Sequence, residues 1–538
     1  MFPVSSISIT LAGNNSHWIS VFVLLACLSV QGQITQKSQK WLGAPSSNCE
    51  ENLNVERSDF PSDFVFGAST AAAQIEGSSK SGGKGPSVWD EYVRKFPEKI
   101  MNRSNLEVAI DSYNRYKEDG LVLRDLGVDA YRFSIPWTRI LPDGTLSGGI
   151  NQEGVNHYNN LIDELIKHGI KPFVTLMHFD SPEALENKYG GFLNRTVVKD
   201  FKNYAEICFK AFGDRVKNWI TINEPLIIAK FGYAMGVAPP GRCSDRRNCP
   251  AGDSATEPYV AAHNLLLAHA TAAKLYKEKY QATQGGQIGM SLVGQYYEPY
   301  SNTLFDRIAA KRAMDFELGW FMEPLVRGQY PLSMRRLVKG RLPVFTEKEK
   351  KLVNGSFDFI GINYYTSRYV KNIPINPKAA PVSFLADEHI NSTVVKNGVP
   401  IGPKAEGSWF LYIYPKGLYK ILKFMKKHYN KNLIIYITEN GVTEKKNDSI
   451  PIHQVLNDQF RIEFVQKHLQ QISKAVNNGV NVKGYFYWSL FDDFEWTEGF
   501  GVGFGLYYID YNNNLKRIPK KSAKWYHDFV KGDRKQAC

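Results

Sequence analysis

A chain of 538 residues, 43% apolar and 13% aromatic, has material for a large core, either in two or three domains or in one barrel enlarged by insertions. A net charge of +13 permits attraction to acidic polymers, but the positive residues are scattered and form no nucleic-acid signature, which excludes that class of partner. No apolar stretch reaches the length of a membrane span, which argues against a membrane-spanning chain.

In chain order, residues 18–30 form that apolar segment and run into Val30-Gln31-Gly32. The segment is too short to span a bilayer and suits the core and small-residue cleavage site of a secretory signal, which places a leader at 1–32. Residues 33–57 are polar and aperiodic and read as a flexible arm. From Phe60 onward, apolar strand-like runs recur at 64–69, 130–135, 172–179, 219–223, 288–293, 357–364, 433–438 and 482–490. Amphipathic segments lie between them, among them 154–168, 197–212, 257–279 and 459–478. Near-continuous apolar strands alternating with helices predict a parallel sheet buried on both faces. Eight such units predict a single (β/α)8 TIM barrel with long βα-loops over 58–532, followed by a short tail at 533–538. A doubly wound open sheet would need a glycine-rich phosphate turn after an early strand. Gly501-Val502-Gly503-Phe504-Gly505 has neither that spacing nor a following helix.

Cys243 and Cys249 close a tight loop, which points to a local disulfide formed in an oxidising compartment. A zinc site is the rival reading, but no second Cys or His pair stands at matching spacing. Cys208, among apolar neighbours, reads as a buried free thiol. Glycosylation acceptor sequences follow the leader at Asn102, Asn194, Asn354, Asn391 and Asn447.

In a barrel of this kind, chemistry gathers at the C-terminal strand ends. Gln74 stands just past the first run, Arg132 on the second, His178 on the third and Asn223-Glu224 on the fourth. The sixth supplies Asn363 and Tyr365, the seventh Glu439 and the eighth Trp488, with Glu495-Trp496 close behind. Two carboxylates at the ends of buried strands are the minimum equipment for cleaving an acetal: one protonates the leaving oxygen, the other attacks or activates water. No metal or cofactor is expected, because there is no His-Glu-x-x-His, Cys cluster or calcium loop. A serine-nucleophile elbow is absent too.

The runs Thr221-Ile222-Asn223-Glu224-Pro225 and Ile437-Thr438-Glu439-Asn440-Gly441 resemble the acid/base and nucleophile signatures of glycoside hydrolase family 1. Phe60-Pro61-Ser62-Asp63-Phe64, Gln74-Ile75-Glu76-Gly77, Tyr131-Arg132-Phe133-Ser134-Ile135 and Lys188-Tyr189-Gly190-Gly191-Phe192 extend the similarity. With Thr256-Glu257-Pro258-Tyr259, residues 358–367 and residues 488–496, it covers nearly everything from 58 to 530. The loop around Cys243 and the leader resemble plant secreted or vacuolar β-glucosidases, so the resemblance implies an extracellular, cell-wall or vacuolar enzyme. It implies a retaining double displacement with Glu439 as nucleophile and Glu224 as acid/base. Arg132 and Tyr365 resemble the residues that hold the nucleophile ionised. Gln74, His178, Asn223, Glu495 and Trp496 carry over as sugar-binding positions, with Trp488 as a stacking floor and Phe504 beside it. A carboxylate at Glu495 disfavours 6-phosphosugars.

Two positions depart from the family pattern. Phe179 and Phe410 stand where tryptophan is common, the second on an aglycone-facing loop where Trp409 is an alternative occupant. The expected substrate is a β-glucoside of a small aromatic or terpenoid aglycone. A transglucosidase, an enzyme for disaccharide glycosides and a non-catalytic sugar-binding barrel are the rivals. A thioglucosidase is disfavoured because that subgroup carries Gln at the position of Glu224. The small-molecule substrate is the expected partner, with neither nucleic acid nor membrane, and homo-oligomerisation is left open.

Overall fold

The computed structural model describes residues 55–376 and 383–532. The expected leader, residues 33–54 of the expected arm and the expected tail lie outside the described residues. Every one of the eight apolar runs is a strand: β1 (Val65–Ser69), β2 (Ala130–Ser134), β3 (Lys171–Met177), β4 (Asn218–Asn223), β5 (Gln287–Val293), β6 (Phe359–Asn363), β7 (Ile435–Asn440) and β8 (Val482–Trp488). Each pairs in parallel with its sequence neighbours, and β1 pairs with both β2 and β8, closing the barrel. Parallel neighbours cannot be joined by a tight turn, so each connection carries a crossover helix. These include α1 (Ser112–Leu126), α2 (Gln152–Lys167), α3 (Thr196–Phe212), α4 (Glu257–Leu275), α5 (Trp320–Arg327), α6 (Pro415–His428) and α7 (Gln459–Asn477), and α8 (Lys521–Lys531) follows β8. The predicted helix at 257–279 is α4 continued by a π-type turn, Tyr276–Tyr280.

Helix faces follow sequence spacing. In α2, Val155, Tyr158, Ile162 and Leu165 recur every three or four residues and are all buried against the barrel. A separate cluster inside the barrel takes one residue from each of six strands: Ala130, Phe173, Ile220, Phe359, Tyr436 and Phe486. Gly67 makes room for this plug, because a Cβ there would lie 2.5 Å from the Phe486 ring. The apolar layer seals the N-terminal end of the barrel, and polar groups face the other end. There the βα-loops build further small sheets, one of them from Tyr296–Pro299, Ser367–Asn372 and Ile390–Thr393. None of the described helices is long and apolar enough to cross a membrane.

The boundary expected between arm and barrel at 57/58 moves towards the N-terminus. Val55 is buried in the main core, and Arg57 donates to the carbonyls of Pro61, Ser62 and Phe64 while its guanidinium lies 5.1 Å over the Phe66 ring. The polar composition of 33–57 hid these two anchors. The Cys243–Cys249 disulfide is formed, and Cys208 is a buried free thiol. Gly236 packs on that disulfide with φ +67, and a Cβ there would meet the Cys249 sulfur at 2.0 Å.

The β7 and β8 loops are tied to the helical layer by one buried cation. Arg461 on α7 donates to the Asp458 carboxylate at 2.7 Å, to the Val442 and Phe504 carbonyls and to the Tyr487 hydroxyl. Asp458 in turn accepts from the Ser522 backbone and hydroxyl. Removing one partner of a buried ion pair leaves the other uncompensated, at a cost of about 3–5 kcal/mol. Arg461→Leu is therefore expected to lower the unfolding free energy by that scale and the urea midpoint with it, read by urea unfolding with fluorescence. A midpoint within error of the parent would show that the network contributes little.

Candidate active site

Local geometry at two strand ends sets the site. The alternation in β4 puts Ile220 in the barrel interior and turns Thr221 outward, where its hydroxyl meets His269 on α4 at 2.7 Å. Strict alternation would send Asn223 outward as well. A register shift against β5 between Ile220 and Asn223 brings it inward instead. The next residue, Glu224, has φ 43, a left-handed conformation rare for a non-glycine residue and typical of functional positions. In β7, Tyr436 belongs to the interior cluster, so alternation faces Thr438 inward and Glu439 outward. Register shifts after Ile437 against both β6 and β8 turn Glu439 into the site too.

Glu439 is held as an anion. Arg132 on β2, fully buried, donates to its Oε1 at 2.7 Å, and the Tyr365 hydroxyl donates to its Oε2 at 2.7 Å. Both oxygens accept from strong donors, a geometry that favours the carboxylate. The second guanidinium nitrogen of Arg132 donates to Asn223 Oδ1 at 2.7 Å. Glu224 has poorer company: its Oε1 accepts from the Asn363 amide at 2.8 Å. Burial first and the Glu439 charge second push Glu224 up to about 8. Burial raises Glu439 as well, opposed by Arg132 and Tyr365, so the one proton of this coupled pair belongs on Glu224.

The sugar-binding candidates converge beside this pair. The Asn223 amide donates to His178 Nε2 at 3.0 Å, which assigns the ring proton to Nδ1. Burial and Arg132 lower the His178 pKa well below its ordinary value, so the ring is neutral. Its Nδ1, buried, has no hydrogen-bond partner among the described residues. Gln74 donates through Nε2 to the Phe494 carbonyl at 2.8 Å and to Glu495 Oε2 at 3.1 Å, while its buried Oε1 is likewise unpartnered. Burial, then the Asp493 carboxyl, raises Glu495 well above the ordinary glutamate range. The Trp488 and Trp496 rings lie parallel to His178 at 5.6 and 6.2 Å.

Glu224, Glu439, Tyr365, His178, Asn223, Trp488, Glu495, Trp496 and Phe504 all line one cavity of about 980 Å³, with Arg132 and Gln74 buried just behind it. Above this polar floor the wall is apolar, with Ile227, Phe231, Val237 and Phe410. The tryptophan-replacing Phe179 lines the cavity and packs edge-on against Trp496 at 5.2 Å. Phe410 approaches Tyr365 at 6.5 Å, whereas Trp409 is 58% exposed at the rim near Phe231. Both therefore serve the cavity, Phe410 nearer the paired carboxyls. Sequence reading placed Asn363 at a strand end without a role. In the fold it supplies the hydrogen bond to Glu224, and its own Oδ1 accepts from Thr438 at 2.6 Å. The five acceptor asparagines, Asn102, Asn194, Asn354, Asn391 and Asn447, are all exposed.

Residues 56–535 match the family model for glycosyl hydrolase family 1. Beta-glucosidase 12 of Oryza sativa subsp. indica is 53% identical over 478 residues, 88% of this chain and 93% of that protein. A furostanol glycoside 26-O-beta-glucosidase of Hellenia speciosa is 54% identical over 501 residues, 93% of this chain and 88% of that protein. A mutant of rice Os3BGlu6 beta-glucosidase, solved in a covalent complex with Glc from GA4GE, superposes with a TM-score of 0.86 at 47% identity over 88% of this chain and 99% of that one. The barrel, the paired carboxyls at its C-terminal face and these matches agree: the chain belongs to glycosyl hydrolase family 1.

Proposed function

We propose that the protein is a retaining β-glucosidase that hydrolyses β-D-glucosides of small, largely apolar aglycones. The observation that carries this reading is the unequal setting of two carboxyls lining one cavity: Glu439 accepts from a buried guanidinium and a phenol, whereas Glu224 accepts from one amide. In the first step a carboxylate oxygen of Glu439 attacks the anomeric carbon while Glu224 gives its proton to the departing glycosidic oxygen. Glu439 is then a neutral ester. One cause of the raised Glu224 pKa disappears with that charge, so Glu224 stays ionised and is available to take a proton from the incoming water. Its proton is thereby restored when water releases glucose with the anomeric configuration retained. The covalent complex of the rice relative is consistent with this two-step route.

Glucose selection follows from buried polar atoms that lack partners. His178 Nδ1 offers a donor and Gln74 Oε1 an acceptor, and a sugar lacking the matching hydroxyl would leave them unpaired at the full desolvation cost. Ile227, Phe231 and Phe410 favour an aromatic or terpenoid aglycone. We further propose passage through the secretory pathway to the cell exterior, wall or vacuole, supported by the Cys243–Cys249 disulfide and by five exposed acceptor asparagines.

Glu439→Gln is expected to lose covalent labelling by a 2-fluoroglucoside, read by intact mass, together with nearly all turnover. A label that persists on another residue would remove Glu439 from the nucleophile role.

Because Glu224 must carry a proton in the first step, kcat/KM should fall as pH rises through about 8. Glu224→Gln should abolish that alkaline limb and slow glucosides of poor leaving groups far more than nitrophenyl glucosides, with azide restoring part of the latter rate as β-glucosyl azide. Equal losses on both substrates, with no azide rescue, would contradict the assignment.

Across nitrophenyl glycosides, β-glucoside turnover should exceed β-xyloside and 6-phosphoglucoside turnover by at least about tenfold, roughly 1.4 kcal/mol in transition-state binding. A preference for a 6-phosphate would defeat the reading of Glu495.

A further inference from the structure

Two walls of the cavity carry cations that the glucose-cleaving chemistry does not use. Lys230 follows Glu224 by six residues, on the π-helical segment Ile228–Met235. Arg368 stands on the loop strand Ser367–Asn372, three residues past Tyr365 and in register with Tyr297. Among the described residues, Lys99, Lys230 and Arg368 are the cations lining the cavity. Lys99 donates to the Asn248 carbonyl, and Lys230 pairs with Glu317 Oε1 at 2.7 Å. Arg368, half-buried, has neither a hydrogen bond nor an ion pair within the described chain.

The carboxylate available nearby is already committed. Glu317 is held by Lys230 and approached at 3.5 Å by Gln295, which also lines the cavity. Behind them Arg312 is buried and spends its donors on the Glu388 and His389 carbonyls and on Asn372 Oδ1. Glu388 is buried too, and burial pushes its carboxyl up to about 8, so at neutral pH it adds little negative charge. Lys230 and Arg368 thus face one carboxyl group, Glu317, which is paired with Lys230, and cations outnumber anions on this part of the wall. A half-buried guanidinium that faces a cavity without a protein partner has its donors free for a ligand, and its planar fork matches a carboxylate bidentately. Arg368 follows Tyr365 by three residues, so their backbones lie at most about 10 Å apart. The remaining acidic groups of the lining outside the sugar-binding floor, Glu186 and Glu498, come from other loops, α-helical Glu183–Tyr189 and the turn Trp496–Glu498.

We propose that Arg368, supported by the Lys230–Glu317 pair, is an aglycone subsite that selects β-glucosides whose aglycone bears a carboxylate. The assignment rests on the β-glucosidase reading above and names its substrate class. An aglycone acid enters with its glucose on the carboxyl-lined floor and its carboxylate held across the guanidinium fork, with the apolar wall of Phe231 and Phe410 between. Arg368 touches neither reacting atom and acts on aglycone binding.

The test uses the β-glucosides of 4-hydroxybenzoate and of 3-(4-hydroxyphenyl)propanoate, each beside its methyl ester, with 4-nitrophenyl β-glucoside as the neutral control. For at least one acid, the parent enzyme should favour acid over ester by about tenfold or more in kcat/KM, the scale of one charge-assisted hydrogen bond. Arg368→Gln should erase that preference through KM while leaving the ester and the nitrophenyl glucoside within about twofold, and Arg368→Lys should keep part of it. The 1-thio-β-glucosides of the same acids and esters, titrated by calorimetry, give the same comparison without turnover. Preference in the thioglucoside titration with no hydrolysis of any glucoside would sustain this subsite and sink the hydrolase reading. Equal use of acid and ester by the parent, an acid preference that survives Arg368→Gln, or an Arg368-dependent preference confined to neutral disaccharide glycosides would overturn the proposal.

Discussion

The buried guanidinium of Arg132 is the constraint on which the rest of the site depends. It lies at the centre of the barrel mouth with no exposure to solvent, and its charge is met by one carboxylate, Glu439. Burying either ion alone would be prohibitive, so each fixes the other in place and in its ionised form. The remaining guanidinium nitrogen reaches Asn223, which aligns His178, and Asn223 Oδ1 also accepts from Asn363 at 3.0 Å, the same amide that holds Glu224. One cation thus sets the positions of side chains from β3, β4, β6 and β7. The protonation difference between the two glutamates follows from the same arrangement, because Arg132 and Tyr365 serve Glu439 while Glu224 is left with an amide.

The cavity is built in tiers whose chemistry changes with height. Its floor, from Glu439 to Glu495, is carboxyl-rich and roofed by aromatic faces, which suits a ring with polar edges and C–H faces. The middle wall of Ile227, Phe231 and Phe410 is apolar, and Lys230, Glu317 and Arg368 bring charge back on one side. The disulfide belongs to this construction. Gly236, lying against the Cys249 sulfur, and its neighbours Val237 and Ala238 line the cavity, so the crosslinked loop backs its apolar wall. Phe179 and Phe410, the two replacements for tryptophan, keep aromatic surface at both ends of the cavity and present no indole N–H to a ligand.

Much of the fold was legible because it rests on short-range patterns. Eight apolar runs of strand length became eight strands, and the three- and four-residue spacing of Val155, Tyr158, Ile162 and Leu165 became the buried face of α2. The N-terminal boundary was harder to read, since Val55 and Arg57 earn their places through contacts with residues that a polar local composition does not announce.

The sequence by itself determined the strand and helix order, the barrel class, the presence of a glutamate at the ends of two strands and the residue types around them. It determined these because each is carried by local periodicity or by contiguous motifs. Only the tertiary structure decided which way those side chains face. Alternation would turn Asn223 and Glu439 away from the cavity, and register shifts imposed by the neighbouring strands turn them in. Only the closed barrel brings Asn363 to Glu224 across 139 positions of chain and Arg132 to Glu439 across 307. That Arg368 has no ion-pair partner among the described residues is of the same kind: whether a guanidinium has found a carboxylate depends on the packing of distant loops, to which no local pattern is sensitive.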